Sequence, residues 1–212
     1  IVHLKIINQS GQKSYNESMS NQVETIINVQ IENRDKTTVF LRGILVAPVL
    51  VFIATFTQSM HLGWSTGLIV LPALLALVVR GIYPSYVLSF NHSLMELQTR
   101  AFAYLFLLTD DYPSIERNPN VAVLLPDVDG GRKLNRGLPL VKWFLAIPLY
   151  IVGFVYTVLA LLASVVAWVI TWSTGKYPTW ALTLVLGTMK FWNRVYGYAL
   201  ILVTDEYPSF SL

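Results

Sequence analysis

The pattern of apolar and polar positions changes character at Val39. Before it, "VETIINVQIE" puts Val23, Thr25, Ile27, Val29 and Ile31 on one face at period two, and "IVHLKII" begins with the same alternation. The loop "NQSGQKSYNESMSNQ" lies between them. A small hairpin or pair of strands is predicted there. From Val39, "VFLRGILVAPVLVFIATF" is apolar apart from Arg42, "TQSMHLGWSTG" interrupts it, and "LIVLPALLALVV" runs on to Arg80. A bilayer core takes about 20 apolar residues per helix, so two spans in a hairpin are expected. "SYVLSFNHSLMELQTRAFAYLFLL" is too polar to span, and Tyr86, Phe90, Leu94, Leu97, Ala101 and Tyr104 form one stripe of an amphipathic helix. That stripe can lie in the membrane interface or pack on the protein's own spans. From Leu138 a second apolar run covers about 35 residues. One straight helix of that length would measure about 52 Å, against a hydrocarbon core of about 30 Å. A second hairpin, turning near Gly153 to Thr157, is the expectation.

The halves repeat each other. Arg42 and Pro48 match Lys142 and Pro148, "GIYPSY" matches "GKYPTW", Arg100 and Tyr104 match Arg194 and Tyr198, and "TDDYPS" matches "TDEYPS". The amphipathic stripe recurs as Trp180, Leu184, Phe191, Val195 and Tyr198. So many matches in one order indicate internal duplication. The predicted fold is an all-α integral membrane protein with two tandem repeats, each a helical hairpin plus an interfacial amphipathic helix. A small β-leaning N-terminal segment precedes them. The expected divisions are a polar extramembrane segment at 1–37, repeats at 38–116 and 137–212, and a polar linker at 117–136. Basic residues flank both hairpins, and the turn at Thr57 to Gly67 has no charge. By the positive-inside rule both hairpin bases face the cytoplasm, giving a parallel repeat about the membrane normal.

Composition moves the reading toward lipid. Of 212 residues, 54% are hydrophobic and 13% charged, where a soluble domain carries about 25% charged. Mean hydropathy is +0.55. The net charge of +3 comes from scattered Lys and Arg, so nucleic acid is not an expected partner. Lys190-Phe191-Trp192-Asn193-Arg194 reads as a membrane-interface belt. With no cysteine, thiolate and disulfide chemistry are excluded. His3, His61 and His92 lack metal-ligand spacing, and "PDVDGG" lacks the closing Glu of a calcium loop. The sequence opens at Ile1 and not at Met, so further chain is expected before it.

The recurring phrases read as corners. Gly81 and Gly175 can end helices in a left-handed conformation. Pro84, Pro113, Pro178 and Pro208 each follow a tyrosine, namely Tyr83, Tyr112, Tyr177 and Tyr207, and forbid helix continuation. Asp110 and Asp205 fit an Asx turn or an ion pair with Arg100 or Arg194. A proton-carrying carboxylate pair is the rival reading. Arg100, Arg194 and Asn193 are interface or ion-pair candidates. No catalytic, metal or cofactor residue is identified.

Gly175, Tyr177-Pro178, Asn193-Arg194, Tyr198, Thr204-Asp205 and Tyr207-Pro208, after an apolar double span, resemble the bacterial membrane domain-of-unknown-function family 4389. The resemblance covers about Arg136 to Leu212, with about Val39 to Ser114 as a divergent second copy carrying Thr99 in place of Asn193. It implies a multi-pass protein of the bacterial cytoplasmic membrane and no activity. The expected function is a non-catalytic accessory or scaffold subunit, with the bilayer and membrane-protein subunits as partners. A small-solute or proton-coupled transporter built from a parallel repeat is the alternative, and a membrane enzyme comes third.

Overall fold

In the computed structural model, residues 21–32, 34–57, 69–116, 118 and 120–212 are described. The "IVHLKII" strand, His3, His61 and all of the charge-free turn after Thr57 lie outside them. The chain is mostly helical (64%), with a small two-stranded sheet. In order, the main elements are β1 (Glu24–Ile27), α1 (Lys36–Thr57), α2 (Leu71–Leu75) with its π-helical continuation Ala76–Arg80, and α3 (Ser85–Leu105). Then come β2 (Val121–Leu124), α4 (Lys142–Leu145), α5 (Ile147–Thr174) and α6 (Thr179–Tyr196), which continues as a π-helical stretch, Gly197–Ile201.

Two of these helices, Lys36–Phe56 and Ile147–Thr174, are long and apolar enough to cross a membrane. The second overturns the expected hairpin at Gly153 to Thr157. Nothing in that stretch turns the chain, and Thr157 Oγ1 donates back to Gly153 O at 2.7 Å within the helix. Gly153 serves a close approach instead. A Cβ there would lie 2.7 Å from Trp192 and 2.9 Å from Phe191, so glycine lets α6 press against α5. At 28 residues, α5 is about 42 Å long. It begins at Ile147 because Pro148, lacking an N–H, suits a first turn.

The amphipathic helices pack on the protein's own apolar helices. Leu97, Ala101 and Tyr104 of α3 cluster with Val46 and Ile53 of α1. Phe191 and Val195 of α6 cluster with Ala146 and Leu149 at the α5 end, and Ala181 and Val185 with Ala160, Ala163 and Ala167. Only the first position of each stripe, Tyr86 and Trp180, stays exposed. An interfacial placement of these stripes is therefore replaced by burial.

β1 finds its partner in the expected linker. It pairs antiparallel with β2, Glu24 opposite Leu124 and Ile27 opposite Val121. The sheet rests on α3 and α6. Val123 N donates to Glu96 at 3.3 Å, and Asn193 Nδ2 donates to Thr25 Oγ1 at 2.9 Å. Val121 and Val123 alternate inward with Ala122 and Leu124 half-buried, the period-two face of a strand.

The start of α1 meets the end of α5. Lys36 Nζ donates to Ser173 O at 2.8 Å, Trp168 Nε1 to Val39 O at 2.9 Å, and Phe40 stacks near Trp168 and Trp172. At the opposite end of α5, the corner after α2 meets the segment that leads into α4. Gly131 there comes so close to Gly81 O that a Cβ would sit 3.1 Å away.

Candidate functional site

The residues of the repeated phrases build two clasps at opposite ends of α5. In the first, Arg42 of α1 reaches the turn that follows α3. Its NH1 donates to Tyr104 O at 3.0 Å and Thr109 O at 2.9 Å, its NH2 pairs with Asp110, and its guanidinium lies 4.4 Å from the Tyr104 ring centre. Arg34 adds a second cation to Asp110 and donates to Leu107 O. Both arginine side chains are buried, at 0% and 2% exposure, while Asp110 keeps 21%. The carboxylate offsets charges that burial would otherwise make costly.

The second clasp has the same parts. Lys142 Nζ donates to Thr204 O at 2.6 Å, pairs with Asp205 at 2.8 Å and lies 5.1 Å from the Tyr198 ring centre. Where the first clasp uses Arg34, the second uses backbone. Asn135 N donates to Asp205 Oδ2 at 2.6 Å. Burial pulls the Lys142 pKa down, against the opposing effect of Asp205. The rings also match, with Tyr112 edge-on to Tyr104 and Tyr207 edge-on to Tyr198.

The expected Asx turns are replaced by hydroxyl turns. Thr109 Oγ1 accepts from Asp111 N at 3.2 Å, and Thr204 Oγ1 from Glu206 N at 3.1 Å. Threonine therefore shapes each corner and frees the aspartate to reach a cation. A buried leucine precedes each turn in the left-handed region, Leu107 at φ 64° and Leu202 at φ 65°. That conformation costs a non-glycine residue about 1–2 kcal/mol, which the burial of both side chains offsets. The π-helical stretch Gly197–Ile201 holds one more residue between Tyr198 and Leu202 than lies between Tyr104 and Leu107. It accommodates the one-residue change in spacing between the two phrases.

Arg100 and Arg194 do not pair with these aspartates. Arg100 donates to Ser114 O at 3.2 Å and Glu116 O at 2.8 Å, and pairs with Glu96 at 3.0 Å. Arg194 donates to Ser209 O at 3.4 Å and to Ser211 O. Each arginine ties down the chain that follows Tyr-Pro-Ser. Thr99 and Asn193, at matching places in α3 and α6, meet at 3.1 Å. Gly81 and Gly175 take φ 64° and 74°. Tyr83 and Tyr177 are buried behind them, each pushed up to about 12 by desolvation. Tyr83 donates to Ile201 O at 2.6 Å. Sequence reasoning missed Arg34, Lys142, Thr109 and Thr204 as clasp members. Matching Arg42 with Lys142 was the signal available for one pair.

Asp110, Asp205 and His92 are not brought together. His92 sits under the sheet, its Nε2 2.6 Å from Val123 O. Among the described residues, no group of three or more His, Asp or Glu side chains is placed to hold a metal. A cavity of about 300 Å³ lies between α3, α5 and α6, with Thr99, Thr157, Ser164, Thr188, Trp192 and Asn193 among its walls. No family model, curated protein or solved structure matches this chain.

Proposed function

We propose that the protein is an internally duplicated protein of the bacterial cytoplasmic membrane, acting as a non-catalytic scaffold or accessory subunit. The single observation that carries this reading is how the recurring charges are used. Arg42, Lys142, Arg100 and Arg194, with Asp110 and Asp205, tie helix ends to chain segments through carbonyls and ion pairs. The duplication is supported by the matched clasps, the matched left-handed glycines and the Thr99–Asn193 meeting.

The membrane reading rests on apolar surface left uncovered. Phe40, Ile44, Val51 and Phe52 of α1 and Ile151, Phe154, Leu162 and Val165 of α5 are all exposed. Soluble monomers rarely expose contiguous apolar patches beyond a few hundred Å². In an upright α5, Glu24, Glu96 and Lys190 would stand near mid-depth, because they neighbour the Thr25–Asn193–Thr99 contact and Trp192 bonds Thr157 halfway along α5. A charge at the bilayer centre costs about 2.5–3.5 kcal/mol or more. Laying α1 and α5 along the membrane instead puts the apolar face in the acyl region and the sheet toward water. The duplication axis then runs along the membrane normal, but with helices that lie in the bilayer and do not form four spans.

Membranes washed with alkaline carbonate should retain the protein, and mild detergent should extract it with a stoichiometric protein partner. Release by carbonate overturns the membrane reading. A lone protein that takes up solute into liposomes overturns the scaffold reading and favours the transport alternative, which the cavity supports.

A further inference from the structure

The cavity between α3, α5 and α6 has a specific hydrogen-bonding character. Four aliphatic hydroxyls line it, beside the Tyr196 phenol and the Gln98 amide, and each of the four donates to the carbonyl four residues before it. The bonds are Thr99 to Met95 at 2.8 Å, Thr157 to Gly153 at 2.7 Å, Ser164 to Ala160 at 2.7 Å and Thr188 to Leu184 at 2.8 Å. With their donors used inward, they offer only oxygen lone pairs outward. Thr99 already accepts from Asn193 and Thr157 from Trp192 Nε1. Ser164 and Thr188 are left as acceptors. Among the described residues that line it, none is Asp, Glu, Lys, Arg or His. The rest of the wall is largely apolar, and its rim carries exposed Phe102 and Leu161, the latter on the face of α5 that meets lipid in our reading.

We propose that this cavity binds a neutral, single-chain amphiphile whose hydroxyl head donates to Ser164 and Thr188 while its chain fills the apolar walls. About 300 Å³ is at the lower end of ligand pockets, which suits one chain and not a whole two-chain lipid. A carboxylate would bring a negative charge with no cation among the described lining residues to meet it, and an ammonium would lose its hydration with no anion opposite, so both are selected against. The site is independent of whether the protein is a scaffold.

The probe is a photoreactive diazirine derivative of dodecanol, with matched laurate and dodecylamine derivatives, applied to purified protein in phosphatidylcholine nanodiscs. Cross-links should concentrate in 157–164 and 185–193, saturate, and be displaced by unlabelled dodecanol. Ala160→Phe fills the cavity and should abolish the saturable labelling. Ser164→Ala with Thr188→Ala should weaken dodecanol binding roughly five- to tenfold, the value of one or two hydrogen bonds, while the protein stays monodisperse. Displacement in the wild type decides the matter even where Ala160→Phe does not fold. Labelling that fails to saturate, or spreads evenly over Val165 and Val166 on the exposed side of α5, means bulk lipid contact and overturns the proposal. Equal labelling by the laurate probe overturns it too.

Discussion

At the scale of residues, the two clasps decide what the aspartates are for. Read as a turn former, Asp205 tolerates Asn, because Asn makes the same turn. With Thr204 making the turn and Asp205 facing a Lys142 side chain of 0% exposure, the expectation changes. Asp205→Asn leaves a buried ammonium with a carbonyl and a ring face, and should cost about 1–3 kcal/mol, below the full cost of breaking a buried pair because Asp205 is partly solvated. Lys142→Met combined with Asp205→Leu should recover much of that loss, measured as thermal midpoints in detergent. A single Asp205→Asn as stable as the wild type refutes the clasp. The pH dependence has a definite sign. Folded Lys142 titrates below its ordinary 10.5, so between the two values the unfolded chain holds more protons and stability rises with pH. Tyr83 and Tyr177 act the other way. Their values move from 10.0 to about 12, so the unfolded chain ionises first and stability falls through that window. Lys142→Arg should flatten the rise, and Tyr83→Phe, which also loses the bond to Ile201 O, should start less stable near neutral pH but show a shallower alkaline fall, both followed as thermal midpoints against pH.

At the scale of elements, two glycines in α5 and its corner test different physics. Gly175 has open space, its nearest neighbours lying 3.8 Å from a built Cβ, but its φ of 74° strains any side chain. Gly153 has helical backbone but no space. Gly175→Val should therefore cost about 1–2 kcal/mol, and Gly175→Asn less. Gly153→Leu should cost more, because α6 must leave α5 or Trp192 must leave its bond to Thr157. The yield of monodisperse protein for the three variants checks that order. The same contrast explains which elements were legible in sequence. Of the period-two stretch Val23 to Ile31 the structure makes Glu24–Ile27 a strand, and the stripe from Tyr86 to Tyr104 gives a helix, wherever they pack. Gly153 carries no local mark separating a turn from a close approach, since the deciding atoms belong to Trp192, far along the chain. β2 was read as linker because four residues, "VAVL", are too few to stand out, and its partner lies about a hundred residues away. The clasp cations escaped for the same reason. Arg34 and Asp110 are 76 residues apart, and only the fold joins them.

At the scale of the whole molecule, if the protein sits in a membrane as we propose, the question is which way α5 lies. Its length of about 42 Å suits a tilted span, and apolar exposure along it suits lipid on several sides. Length cannot separate an upright helix from a lying one. The polar layer can, because charge has a depth preference and apolar surface only needs to be covered. Lys176 follows α5 at the first clasp's end, and Lys133 precedes α4 at the other. Both side chains are exposed, at 66% and 53%. If α5 stands upright, the two lysines face opposite sides of the membrane. If α1 and α5 lie along it, both face the side that carries the sheet. Lys133→Cys and Lys176→Cys, made singly in this cysteine-free chain, should react with an impermeant maleimide from the same side of sealed vesicles. The positive-inside rule makes that side the cytoplasm, so right-side-out vesicles should label neither until lysed. Labelling of one but not the other in intact vesicles would mean that α5 crosses the bilayer. The charges near Asn193 would then sit at mid-depth, where they mark function and not solvation. In that outcome Glu96, Arg100 and Lys190 become the residues to test for transport, and the scaffold reading gives way.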